Sequence, residues 1–142
     1  MIAYLDSSAL VKLVIDEVGS DDTALLWDAA DAVVTSRVAN AEVRAAIAAA
    51  HRAGRLTDRQ LAAATGLWRE VHRALRLVEL TPELDEQAGE LAERQALSGF
   101  DAIQLASTLL LDHYGVIVAS WDRRLLAAAR TIGLPTLPAE RA

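Results

Sequence analysis

The sequence predicts a three-layer α/β domain around a mostly parallel sheet, and three observations carry that prediction. Short apolar runs alternate with longer helical patterns along the whole chain. The first run, Ile2-Ala3-Tyr4-Leu5, is continuous rather than alternating, as suits a strand buried on both faces. It ends in Asp6 and passes directly into a helical pattern, which puts a carboxylate at the carboxyl end of a strand, where open α/β sheets carry their sites.

The elements follow in order. Ser7 to about Glu17 reads as a helix ended near Gly19, and Ser20-Asp21-Asp22 reads as the cap of a second helix reaching about Asp31. Ala32–Ser36 is a second short strand, followed by an Ala-rich helix from Arg37 to Ala53 stopped by Gly54. Thr57-Asp58-Arg59-Gln60 has the form of a capping box and opens a helix to about Ala74. Leu75–Leu80 is a third strand. Thr81-Pro82, a cap followed by proline at the first helical position, begins a helix to about Leu97. Ser98-Gly99 breaks it, and Phe100 to Tyr114 forms the next helix, closed by Gly115. Val116–Ser120 is the clearest internal strand, Asp122 to Ile132 is helical, and Leu134–Leu137 is a short edge strand whose pairing Pro135 and Pro138 limit.

Length and composition set the bounds. One domain spans residues 1–142, and 53% hydrophobic content supports a packed core. No cysteine occurs, so disulfide frameworks and thiolate metal sites are excluded, and a cytoplasmic location fits. The N-terminus lacks a signal-peptide pattern, and no apolar run approaches membrane-spanning length, so no membrane partner is expected. The net charge of −6 disfavours a simple nucleic-acid binder, but acids gathered at a metal site count in that sum before any ion binds. All but one of the fourteen basic residues are arginine, the side chain best suited to bidentate phosphate contacts.

Most of the twenty acids have ordinary explanations. Asp21, Asp22 and Asp58 lie at helix starts, while Glu83, Glu86, Glu90 and Glu93 form a solvated helix face. Four acids stand apart. Asp6 follows a buried strand. Asp122 stands two residues beyond the strand Val116–Ser120, where it reads equally as a helix N-cap. Glu42 falls on a largely apolar helix stripe with Val38 and Ala46, or at the edge of that stripe reaching water. Asp101 starts a helix and shares a face with Leu105, although Ser98-x-x-Asp101 also has the form of a capping pair. All four lie near carboxyl ends of strands or the helix starts that follow them. Clustered carboxylates repel one another unless a cation neutralises them. Hard oxygen ligands favour Mg²⁺ or Mn²⁺, no zinc site is offered, and such a centre suits phosphodiester hydrolysis.

At these residues the chain resembles the PIN-domain family, and most closely the VapC-type ribonuclease toxins of toxin–antitoxin pairs. The matching segments are Tyr4–Leu10, Ala39–Val43, Phe100–Ala106 and Ser120–Leu125, in family order. The resemblance implies an α/β/α PIN-like domain with strand order 3-2-1-4-5. It implies that Asp6, Glu42, Asp101 and Asp122 form a catalytic, metal-binding quartet, with Ser8 and Ser120 as hydroxyls that orient it. It further implies a Mg²⁺- or Mn²⁺-dependent endoribonuclease, homodimeric, acting on RNA and inhibited by a cognate antitoxin. Arg123 and Arg124 are candidates for RNA phosphate contact or a solvated helix start. Trp121 is read as packing at the sheet end rather than stacking on a base. The alternatives are a PIN nuclease of RNA processing, a catalytically inactive PIN interaction module, and a phosphoryl-transfer domain using the strand-end Asp. Ser8, standing where a phosphatase of that last type has a second acid, speaks against it.

Overall fold

β1 (Ile2–Leu5) lies at the centre of a five-stranded, wholly parallel sheet in this computed structural model, which describes residues 1–140 apart from the side chain of His113. Around it come α1 (Ser7–Val14), α2 (Ser20–Ala29), β2 (Ala32–Ser36), α3 (Ala39–Arg52), α4 (Asp58–Ala74) and β3 (Arg76–Val78). The second half adds α5 (Pro82–Gln95), α6 (Gly99–Leu109), β4 (Val116–Ala119), α7 (Arg123–Thr131) and β5 (Thr136–Leu137). The order is β3-β2-β1-β4-β5, as the resemblance implied. β1 therefore pairs with β2 on one side and β4 on the other, Tyr4 lying against Val34 and Val118.

The continuous apolar run has its cause in the layers. Tyr4 joins Val34, Val118, Leu84 and Leu105 in a core beneath α5, α6 and α7. Its neighbours Ala3 and Leu5 join Val33, Leu10, Val43 and Trp68 beneath α1, α3 and α4. Successive side chains point to opposite faces, and both faces are covered, so no polar residue is tolerated before Asp6. The helix starts at Thr57 and Thr81 form as read. Thr57 Oγ1 accepts from the Gln60 amide (3.1 Å) while Gln60 Oε1 accepts from the Thr57 amide (2.9 Å), and Thr81 Oγ1 accepts from the Leu84 amide (3.1 Å) with Pro82 beginning the helix.

Three helix termini differ most from the reading. α1 stops at Val14, not near Glu17, because Lys12 Nζ reaches forward to Glu17 Oε1 (3.0 Å) and the Val18 carbonyl (2.6 Å) and folds the segment into a loop. Ser20 is not a side-chain cap: its hydroxyl accepts from the Glu17 amide (3.0 Å) and donates to the Ile15 carbonyl (3.1 Å), and Gly19 precedes α2 with no side-chain cap. α6 ends at Leu109, and a separate 3₁₀ turn covers Asp112–Tyr114. Ser107 and Thr108 donate back to the carbonyls of Ile103 (2.7 Å) and Gln104 (2.9 Å), a competition that weakens the helix ladder, and the Leu111 amide already bonds three residues back to Thr108.

The loop before α2 packs against the site-bearing end of the sheet. Lys12 Nζ lies 4.8 Å from the centre of the Trp121 ring, and Trp121 packs on the core below α1 and α3, as expected of it. Gly19 has φ +93°, and a Cβ there would stand 2.6 Å from Trp121 Cζ2. Gly19→Ala combines a left-handed alanine with overpacking, so it should lower stability by about 2–4 kcal/mol, read as a lower urea midpoint at unchanged slope. An unchanged midpoint would contradict this packing.

Candidate metal centre at the carboxyl edge of the sheet

Asp6 leaves β1 with its amide bonded to the Ala119 carbonyl of β4 (3.2 Å), at the switch point where the chain order reverses between β1 and β4. The carboxylate is 4% exposed. Oδ1 accepts from the Ala9 amide (3.0 Å), which makes Asp6 the N-cap of α1, and from Ser8 Oγ (2.7 Å). Oδ2 accepts from Ser120 Oγ (2.5 Å). Each serine hydroxyl also accepts a backbone amide, Ser8 from Trp121 (2.8 Å) and Ser120 from Asp122 (3.0 Å). One proton donated and one amide accepted per hydroxyl fixes both rotors and ties the β1–α1 turn to the β4–α7 turn. Ser8 and Ser120 thus each bond one oxygen of Asp6. Burial pushes the Asp6 carboxyl up to about 6, the two serines and the Ala9 amide pull it down, and the charge of Asp122 raises it again.

Asp122 caps a helix while its charge reaches the neighbouring acids. Its Oδ1 accepts from the amides of Arg124 (2.9 Å) and Leu125 (3.0 Å), so it caps α7, and its charge acts on both Asp6 and Asp101. Asp101 lies in the first turn of α6, where Ser98 Oγ accepts its amide (3.3 Å), so the capping reading holds for the backbone as well. Its carboxyl is held above the ordinary range, first by burial and then by Asp122, against the opposing pull of Ser98 and Arg124. Glu42, in the first turn of α3, is half-buried and raised by burial and by Asp101, with Ser7 and Gln104 opposing. The four charges therefore act on one another in the order Asp6, Asp122, Asp101, Glu42. Arg123 and Arg124 are exposed at the start of α7, and the charge of Arg124 reaches Asp101.

Gln104 was not anticipated. On α6, three residues beyond Asp101, it is 2% exposed, and its Nε2 donates to Glu42 Oε1 (3.4 Å) and Ser7 Oγ (3.3 Å). The buried Tyr4 hydroxyl donates to Gln104 Oε1, which turns the amide so that its NH₂ faces Glu42. The available signal was a long polar residue sharing a helix face with Asp101, Ser107 and Thr108.

Among the described residues, no three acidic or histidine side chains are gathered tightly enough to hold an ion as they stand. The donor chemistry nevertheless fits a hard divalent cation. It consists of carboxylates and hydroxyls, three of the four acids have raised proton affinity, and cysteine is absent.

The PIN domain family profile matches residues 3–131. This chain belongs to the PIN-domain family. Over 139 residues it is 46% identical to Ribonuclease VapC45 of Mycobacterium tuberculosis (strain CDC 1551 / Oshkosh), covering 98% of this chain and 96% of that protein. The fold is also that of PAE2754 from Pyrobaculum aerophilum (TM-score 0.67, 24% identity, 97% of this chain and 93% of that one). It is shared too by VapBC2 from Rickettsia felis bound to a DNA fragment from their promoter (TM-score 0.64, 12% identity, 96% and 97%). No helix among the described residues is long and apolar enough to cross a membrane.

Proposed function

We infer that this chain is an endoribonuclease of the VapC type, the toxin of a toxin–antitoxin pair. The observation that carries the reading is the linked set of acids at one sheet edge, Asp6, Asp122, Asp101 and Glu42, in a chain 46% identical to a ribonuclease. These four residues would hold Mg²⁺ or Mn²⁺. When bound, such an ion supplies Lewis acidity for activating a water and for balancing charge at the attacked phosphorus. The chain's own part is orientation. Ser8 and Ser120 each grip one oxygen of Asp6, leaving that carboxylate a single rotamer. Tyr4, through Gln104, does the same for Glu42. Arg123 and Arg124 flank the crevice and suit the RNA backbone. As partners we propose a second copy of the chain and a cognate antitoxin that presents arginine to the crevice, since a guanidinium can stand in for the cation.

The test is cleavage of RNA by the purified, antitoxin-free protein with Mg²⁺, with Mn²⁺ and with EDTA. Cleavage with either ion and none in EDTA is expected. Equal cleavage in EDTA, or none under any condition, counts against the reading.

A further inference from the structure

A second cavity lies on the far side of α3 from Glu42. Helices α3 and α4 form a hairpin with a cavity of about 330 Å³ between them, lined by Asn40, Arg44, Thr65, Trp68, Arg69 and His72. The polar groups on this lining are suited to donate hydrogen bonds, and no acid is among them. The ion pairs among the described residues join Met1 to Asp31, Lys12 to Glu17, Arg37 to Glu79 and His51 to Asp58, so neither Arg44 nor Arg69 is neutralised. The buried Trp68 donates its indole N–H to Asn40 Oδ1 (3.0 Å), which leaves the Asn40 NH₂ free. His72 Nε2 is shielded from solvent and is the one buried side-chain nitrogen or oxygen among the described residues without a hydrogen bond. Such an orphan calls for an explanation, and a bound water or ion is among the usual ones.

We propose that this cavity binds a phosphate group, with Arg44 and Arg69 as its charge partners and Asn40, Thr65 and His72 as hydrogen-bond donors. Two guanidiniums unpaired within a chain of net charge −6 are the chemistry that selects an oxyanion. Asn40 and Arg44 lie two residues to either side of Glu42, about 200° around α3 from it, so the cavity and the acidic crevice are separated by the width of one helix, about 10–12 Å. That placement suits a backbone phosphate of the RNA strand whose cleaved bond lies at the crevice. The inference deepens the ribonuclease reading and rests on it for the source of the phosphate.

The experiment compares wild type with the double variant Arg44→Gln/Arg69→Gln, both changes being at exposed positions. A fluorescent single-stranded RNA is titrated by anisotropy in EDTA over a series of NaCl concentrations. The variant should bind more weakly, and its log K against log[salt] slope should be shallower by about 1.4, the loss of two phosphate contacts on a single strand. In a parallel arm, millimolar inorganic phosphate is added against chloride of equal ionic strength. A rise in melting temperature in wild type but not in the variant assigns the site to free phosphate as well. Identical salt slopes together with no phosphate-specific shift overturn the proposal while leaving the ribonuclease reading intact. Failure of wild type to bind RNA overturns the ribonuclease reading instead, and the phosphate arm then decides the cavity on its own.

Discussion

Asp6→Asn abolishes metal-dependent RNA cleavage, by roughly a thousandfold or more, the scale of losing one preorganised electrostatic group, and yet yields a protein that melts higher than wild type in EDTA. The two halves have one cause. Asp6 is buried beside Asp122, and its carboxyl ionises near 6 in the folded chain. In the unfolded chain it ionises near its ordinary value of about 3.9. Because the folded value is raised, the folded state holds the proton more tightly. Stability therefore falls as pH rises from about 4 through about 6 and stays reduced above. Asparagine carries no such charge. The variant's advantage should be up to about 3 kcal/mol at pH 8 and should vanish below about pH 4. Ser120 can turn its hydroxyl to accept from the new amide, so the site need not be left unsatisfied. Thermal melts in EDTA across pH 4–8, paired with cleavage assays in Mn²⁺, check both halves. Cleavage at the wild-type rate, or a variant less stable at pH 8 than at pH 4 relative to wild type, contradicts the assignment.

The second large effect is the reverse, supplying the charge rather than removing it. A divalent ion that binds only the folded chain stabilises it by mass action, by roughly 2.7 kcal/mol at a hundred times its dissociation constant. For a domain of this size the melting temperature should rise by several degrees, on the order of 5 °C. Mn²⁺ and Mg²⁺ should both produce the rise at concentrations where sodium of equal ionic strength does not. Glu42→Gln should reduce it, because one oxygen ligand loses its charge while Gln104 can still bond the remaining carbonyl. Coincident melts with and without millimolar Mn²⁺ would mean that the four acids form no strong resting site.

Where local chemistry and long-range packing agree, the fold was legible. Ile2–Leu5 reads as a doubly buried strand because Tyr4 and Leu5 do face two different cores. Thr57 and Thr81 cap their helices through bonds that stay within three residues. Misreadings fall where a second nearby partner competes for the same group. Ser20 has the right residue type for a cap, but its hydroxyl is taken by the loop that Lys12 draws closed beneath Trp121.

The site divides along the same line. Asp6 and Asp122 are visible from strand endings, yet nothing local says that Ser8 and Ser120 stitch their turns together across more than a hundred residues. Asp122 was ambiguous for a physical reason: one oxygen caps α7 while the side chain's charge still acts on the crevice. The link from Tyr4 through Gln104 to Glu42 joins three elements and has no sequence period at all. Its only trace is a buried glutamine one helical turn from Asp101.

The most direct measurement is where manganese binds. Crystals of the antitoxin-free protein grown with Mn²⁺ should show an anomalous difference peak in the crevice bounded by Asp6, Asp101 and Asp122, with Glu42 at its edge. The peak should be lost from Asp6→Asn crystals grown identically. A manganese peak elsewhere on the chain, with the crevice carboxylates left as they stand here and RNA still cleaved, would contradict the account.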